Sequence, residues 1–309
     1  MGKTKIKTHA SREAMRWADD GHPCEVVREP TFHGNDFDVK MQDEPDGALA
    51  TKKIVDIIKE RGVALIQANA PQELVMAAQD DAEHLWSEGL FVPPMRVHDD
   101  RSMMERQLWQ SALQDDDKVF WVSKDDTNDQ TKALKILSEN IQQFAGGLSQ
   151  CLSQELGVNF DRFGRSMLSC YTGDRTYSLH LDNCHGAEDD DRSLPDNGMR
   201  VTLVYYINMY WNPIKLYNGG GLDVHLSDPL EAPSSASVKS AKVLRIAPHA
   251  DTLAVFLSDR IAHRVIQTTG DEKRFCLTMW CLHGDSMQQG LKRLIQMRQS
   301  DEKDEDDED

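Results

Sequence analysis

Long apolar runs are missing from this chain. Nowhere in its 309 residues do 18 apolar residues follow one another, so no membrane-spanning helix is expected. The opening stretch, MGKTKIKTHASREAMRW, has no apolar core of the kind a secretory signal needs, and Ile6 stands where a myristoylation pattern requires Ser or Thr. The expectation is a cytoplasmic chain, with a nuclear location left open, that is not secreted and meets no membrane. Cysteine is scarce and unpatterned. The six present (Cys24, Cys151, Cys170, Cys184, Cys276 and Cys281) form no Cys-x-x-Cys and no zinc-knuckle spacing, so reduced thiols are expected in place of a disulfide framework. Positive charge is also short: 35 Lys plus Arg stand against 52 Asp plus Glu, a net of -17, which argues against a groove for phosphates and against nucleic acid as a partner. Part of that excess is local, since residues 301–309 hold eight acids and one lysine, the composition of a solvated tail.

Apolar residues make up 39% of the chain, enough for one full-sized core. Residues 1–49 are polar with scattered aromatics (Trp17, Phe32, Phe37) and no sustained period, and are expected to be a flexible lead-in. From 50 to 160 the pattern is mainly helical. TKKIVDIIKERG places Ile54, Ile57 and Ile58 on one face and stops at Gly62; VALIQ (63–67) reads as a strand; a helix opened by Pro71 carries Leu74, Ala78, Ala82 and Leu85. A further helix, 131 to about 155, aligns Leu134, Leu137, Ile141, Phe144, Leu148 and Leu152.

Beyond Arg165 the period changes to two. SMLSCY, TYSLHLD, RVTLVYYIN, GLDVHL, KVLRIA, TLAVFL, HRVIQT and RFCLTMWCL follow one another between turn residues, as an antiparallel barrel or double-sheet jelly roll requires. The acidic loop EDDDRSLPDNG and the small-residue loop EAPSSASVKS read as surface connections. No internal repeat is present. Helices first and strands later give an α+β fold class, with N-terminal helices flanking a β-core over 161–286, and 287–309 as a C-terminal helix and acidic disordered tail.

Within TYSLHLD, His180 and Asp182 are two positions apart, so on a strand both project to the same face. His263 opens a later strand, and Arg274 begins the last one. Two imidazoles and one carboxylate are the ligand set of the facial triad that leaves positions open on a non-haem Fe(II). His-x-Asp alone is a weak motif; the distal His, the following Arg and the strand order together give it meaning. Thr278 lies four positions beyond Arg274 and hence on the same face, with Cys276 between them, a small buried thiol. Cys184 and His185 follow the pair in a loop expected to leave the site.

These runs resemble the 2-oxoglutarate/Fe(II)-dependent dioxygenases, and among them the prolyl 4-hydroxylase-like group that includes the hypoxia-sensing prolyl hydroxylases. The resemblance is carried by CYTGDRTYSLHLDN, VTLVYYIN, GGGLDV, FLSDRIAHRV and RFCLTMW, and more weakly by KERGVALIQ, ELVMAAQDDAEHLWSEGLF and DKVFWVS. It implies a double-stranded β-helix with His180, Asp182 and His263 as iron ligands. It also implies that Arg274 pairs with the far carboxylate of 2-oxoglutarate, assisted by Tyr206 and by the Thr278 hydroxyl, that Tyr171 lies near the cosubstrate, and that Tyr177 faces the substrate. Fe(II), 2-oxoglutarate, O2 and ascorbate follow as cofactors and cosubstrates, and hydroxylation of a protein or peptide proline, with release of succinate and CO2, as the activity. The acidic insertion 188–197 is longer than in the hypoxia-sensing enzymes. Asp189 and Asp190, with Asp191, are therefore candidates to select a basic or amide-rich polypeptide by charge, or else form a solvated loop. The same chemistry on a small molecule or another side chain, and a catalytically silent metal-binding barrel, remain as alternatives. Oligomeric state is not legible.

Overall fold

The computed structural model describes residues 24–31, 34–92, 118–123, 131–173, 175–187, 195–211, 220–268 and 272–306. Among the described residues, three α-helices precede the barrel. Helix α1, Gly47–Arg61, starts four residues before the expected Thr51 because the Asp46 carboxylate accepts from the amides of Ala48 and Leu49, satisfying donors that a helix start leaves bare. It stops at Gly62, whose φ of +80° and whose Cβ-free face, hard against Ile261, admit no other residue cheaply. The buried face is Ala50, Ile54, Val55 and Ile58, with Ile57 only half-buried. Helix α2, Gln72–Ser87, takes Pro71 as its cap and buries Val75, Ala78, Ala82 and Leu85, so Leu74 lies at the edge of the stripe. Helix α3, Lys132–Leu156, buries Leu134, Leu137, Ile141, Leu148 and Leu152 as expected, with Ala145 inward and Phe144 half out. Its first amides, those of Ala133 and Leu134, are capped from α2 by the Asp81 carboxylate. Both α1 and α2 pack on α3.

The eight expected strands all form: β6 (Ser166–Tyr171), β7 (Tyr177–His180), β8 (Met199–Tyr206), β9 (Leu222–Leu226), β10 (Lys242–Ile246), β11 (Thr252–Leu257), β12 (His263–Val265) and β13 (Arg274–Leu282). They divide between two sheets. β11-β8-β13-β6 forms the centre of one, and β10-β9-β12-β7 most of the other. The chain crosses from sheet to sheet at nearly every connection, which makes the α+β fold a double-stranded β-helix core with flanking helices. β13 is buried at all nine positions. Its even residues Arg274, Cys276, Thr278 and Trp280 line the space between the sheets, while Phe275, Leu277, Met279 and Cys281 join the apolar core shared with the helices or its margin.

Among the described residues five further strands, outside that core, widen the sheets: β1 (Val26–Arg28) beside β10, β2 (Val39–Lys40) and β3 (Val63–Gln67) beyond β11, β4 (Lys118–Val122) on β6, and the short β5 (Arg162–Phe163) on β13. The described part of the expected flexible lead-in, residues 24–31 and 34–46, therefore supplies an edge strand to each sheet. Polar pairing, invisible to a hydrophobic period, holds it there: Asp38 accepts from Arg28, from Arg61 and from the Leu65 amide. EAPSSASVKS also differs from expectation. It contains helix α4, Ser235–Ser240, because Ser234 and Ser237 satisfy each other's backbone amides in a capping box. Helix α5, Gly284–Asp306, begins before the expected 287 and includes residues 301–306 of the expected disordered tail. Trp17, Phe32 and residues 188–194 lie outside the described residues. No helix among the described residues is long and apolar enough to cross a membrane.

Candidate functional site

His180 ends β7 and His263 opens β12, and the antiparallel register sets them directly opposite each other, with ring centroids 4.3 Å apart. Asp182 follows on the first residues of the loop after β7. Its backbone is pinned: the Asn197 side chain donates to the Asp182 carbonyl at 2.7 Å, and the Asn183 amide donates to Ser258 at 3.0 Å. Asn183 is held in turn by Asp196, whose carboxylate also takes the Arg200 guanidinium through both terminal nitrogens.

The atoms converge. Oδ1 of Asp182 lies 3.4 Å from Nε2 of His180 and 3.8 Å from Nε2 of His263, and one ligand atom from each residue falls within 4.8 Å of the others. Each imidazole points its Nδ1 at a backbone carbonyl, His180 at Ser178 (2.8 Å) and His263 at Ile261 (3.4 Å), which leaves Nε2 as the bare nitrogen. Burial, with His180 alongside, pushes His263 down to about 4, so it is neutral at physiological pH. Burial alone would raise the Asp182 carboxyl, but the two imidazoles and the Thr202 hydroxyl outweigh it and hold the group below the usual carboxylate range. A buried carboxylate and two imidazole nitrogens thus face one another, an arrangement that suits a bound cation. Two imidazoles and a carboxylate without thiolate suit a first-row divalent ion such as Fe(II), and grouping them on one side leaves the other side open.

The second oxygen of Asp182 is already occupied. Oδ2 accepts from Oγ1 of Thr202 at 2.5 Å and from Nε1 of Trp280 at 3.1 Å, so Oδ1 alone is offered. Thr202 and Trp280 escape a reading by motif. The usable signal is a Thr and a Trp on the inward phase of β8 and β13, which pair with each other across those strands. Thr202→Val is expected to weaken binding of Mn(II) roughly 10- to 100-fold with the fold retained, measured by titration of the metal-free chain. Unchanged affinity would mean that the hydroxyl does not orient the carboxylate.

A cleft of about 500 Å³, counting its open mouth, contains these groups together with Tyr171, Tyr177, Leu222, Val265, Cys276 and Thr278. Arg274 lines it as well, 1% exposed. Among the described residues no carboxylate reaches its guanidinium. Nε donates to the Gly220 carbonyl at 2.5 Å, Nη2 to the Tyr206 hydroxyl at 2.9 Å, and Nη1 has only the Cys276 sulfur at 3.8 Å. The rings of Tyr171 and Tyr206 lie 5.3 and 5.0 Å from the guanidinium carbon. A buried cation without an anion costs several kcal/mol, and the opening beside it is where an anionic ligand would offset that cost.

The structure thus brings together His180, Asp182, His263, Arg274, Tyr206, Thr278, Tyr171 and Tyr177, the last with its ring 4.4 Å from that of His180. Cys184 packs with Leu179, Leu181 and Val238, outside the cluster that could hold a metal, and His185 is no part of that cluster. Asp189, Asp190 and Asp191 lie outside the described residues.

Residues 166–282 match the model of the 2OG-Fe(II) oxygenase superfamily. Among solved structures, a prolyl hydroxylase of Trichoplax adhaerens, determined with a peptide fragment of the hypoxia inducible factor oxygen degradation domain, is 21% identical with a TM-score of 0.58, over 80% of this chain and 94% of that one. A prolyl-4-hydroxylase of Pseudomonas putida is 20% identical with a TM-score of 0.52, over 75% and 99%. A non-heme alpha ketoglutarate dependent epimerase from nogalamycin biosynthesis is 10% identical with a TM-score of 0.51, over 76% and 83%. At these identities the likeness is one of fold.

Proposed function

From the match of residues 166–282 to the 2OG-Fe(II) oxygenase superfamily, we propose that this chain is an Fe(II)- and 2-oxoglutarate-dependent dioxygenase that hydroxylates proline in a protein substrate. The observation that carries the dioxygenase reading is the pairing, in one cleft, of the His180–Asp182–His263 cluster with a buried Arg274 that has no acidic partner among the described residues. The first would hold Fe(II) through two imidazole nitrogens and one carboxylate oxygen. The second would take the far carboxylate of 2-oxoglutarate, with the Tyr206 hydroxyl beside it and Thr278 on the same inward row of β13. When bound, iron, 2-oxoglutarate and dioxygen supply an oxidative decarboxylation that yields succinate and CO2 and leaves one oxygen as hydroxyl on a C–H carbon.

The protein's own contribution is order and dryness. Thr202 and Trp280 fix the carboxylate, the Ser178 and Ile261 carbonyls fix the imidazoles, and the apolar lining of the cleft limits water around the reacting carbon. A protein proline as substrate is supported by the apolar wall of Tyr177, Leu222 and Val265, which suits an uncharged ring, and by the peptide in the Trichoplax adhaerens structure. Ascorbate as the reductant rests on the resemblance alone. The epimerase of the same fold shows that the architecture also serves other chemistry, so the substrate is the part to test. Proline-containing peptides incubated with the iron-loaded chain, 2-oxoglutarate and air are expected to gain 16 Da per modified proline, about one oxygen atom for each succinate formed. Succinate without any gain of mass would assign the enzyme to another substrate.

A further inference from the structure

Gly220 belongs to no motif with chemistry of its own, yet its peptide joins the two halves of the site. Its N–H donates to the Ile266 and Gln267 carbonyls, at 3.0 Å each, on the continuation of the strand that His263 opens. Its carbonyl accepts from Nε of Arg274 at 2.5 Å. A φ of +78° orients that carbonyl, and the conformation is walled in: an added Cβ would lie 2.8 Å from Cζ2 and 2.9 Å from Cη2 of Trp211. With Nε held by Gly220 and Nη2 by Tyr206, the guanidinium can neither roll nor withdraw, and its Nη1–Nη2 edge is left for a ligand. We propose that Gly220 is a positioning residue for recognition of the far carboxylate, acting through Arg274. This rests on the reading of the cleft as a 2-oxoglutarate site.

A hydrogen bond to a buried charge is the kind whose loss is felt most. The test compares two ligands on the full chain loaded with Mn(II), without dioxygen, by calorimetry: 2-oxoglutarate, and 2-oxobutyrate, which has the same 2-oxoacid end and no far carboxylate. Gly220→Ala is expected to weaken 2-oxoglutarate roughly 10- to 100-fold while leaving 2-oxobutyrate and Mn(II) affinities as in the wild type. Gly221→Ala, whose carbonyl is bonded to the Ile266 amide and not to Arg274, is expected to leave both ligands unchanged. Equal 2-oxoglutarate affinity in Gly220→Ala and wild type, or an equal loss of both ligands, would overturn the inference. A wild type that does not prefer 2-oxoglutarate over 2-oxobutyrate would overturn the cosubstrate reading itself. Should Gly220→Ala not fold, the wild-type Arg274 Nε–H resonance, identified by its absence in Arg274→Lys, still decides. Protection from solvent exchange supports the bond to Gly220, and exchange at the rate of an exposed arginine overturns it.

Discussion

Asp182→Ala is expected to end 2-oxoglutarate turnover, with succinate formation down roughly a thousandfold or more, because metal assistance worth several kcal/mol is lost and each 1.36 kcal/mol is a factor of ten in rate. The loss is a loss of metal. Asp182 supplies the only negative charge in the cluster that could hold the ion, and what remains without it is two imidazoles held 4.3 Å apart by strand pairing. Removal of the carboxylate also takes away two buried hydrogen bonds, those from the Thr202 hydroxyl and the Trp280 indole, so a drop in thermal stability of the metal-free chain should accompany it. The two effects separate in one experiment. Mn(II) should raise the melting temperature of the wild type and leave that of the variant unmoved. Succinate production by Asp182→Ala at the wild-type rate would refute the assignment of the metal site.

Arg274→Met should produce the second large effect, on the cosubstrate and not on the metal. The affinity for 2-oxoglutarate is expected to fall by about 100-fold or more, the scale of breaking a buried charge pair, with Mn(II) binding intact. Wild type at 100 times its dissociation constant should gain about 2.7 kcal/mol from 2-oxoglutarate, and the variant close to nothing at the same concentration. The sharper form of the prediction concerns discrimination. Without the guanidinium, 2-oxoglutarate and 2-oxobutyrate should bind alike, since the far carboxylate would find no cation. Retained preference for the diacid would show that another group recognises it.

The barrel is legible in the sequence because half-buried and fully buried strands impose period two over short runs between turns; the His180–Asp182 spacing points to the cluster, although Asp182 lies on the loop past the end of β7 and is brought to His180 and His263 by that loop and not by strand alternation. The errors have physical causes. Leu74 and Phe144 pack at the margin of the core and not at its centre, because their neighbours Val75 and Ala145 take the innermost positions and the packing partner decides the phase. β1 and β2 are three- and two-residue strands held by ion pairs of Asp38, which carry no period. Thr202, Trp280 and Gly220 act by touching Asp182 or Arg274 from other strands and loops, so their roles exist only once register is known.

Register has one more consequence. β7 is the outermost strand of its sheet among the described strands and is bonded only to β12, over an irregular stretch of ladder. That is a weak seam in a sheet without covalent help. An ion held by His180 on one strand and His263 on the other would be a rivet across the seam, closing a long loop of chain as a disulfide would in an oxidising compartment. Iron starvation would then unfasten the protein locally before it unfolds as a whole, and amides of Tyr177–His180 and His263–Val265 should exchange hydrogen for deuterium faster in the chelated protein, while those of β13 keep their protection.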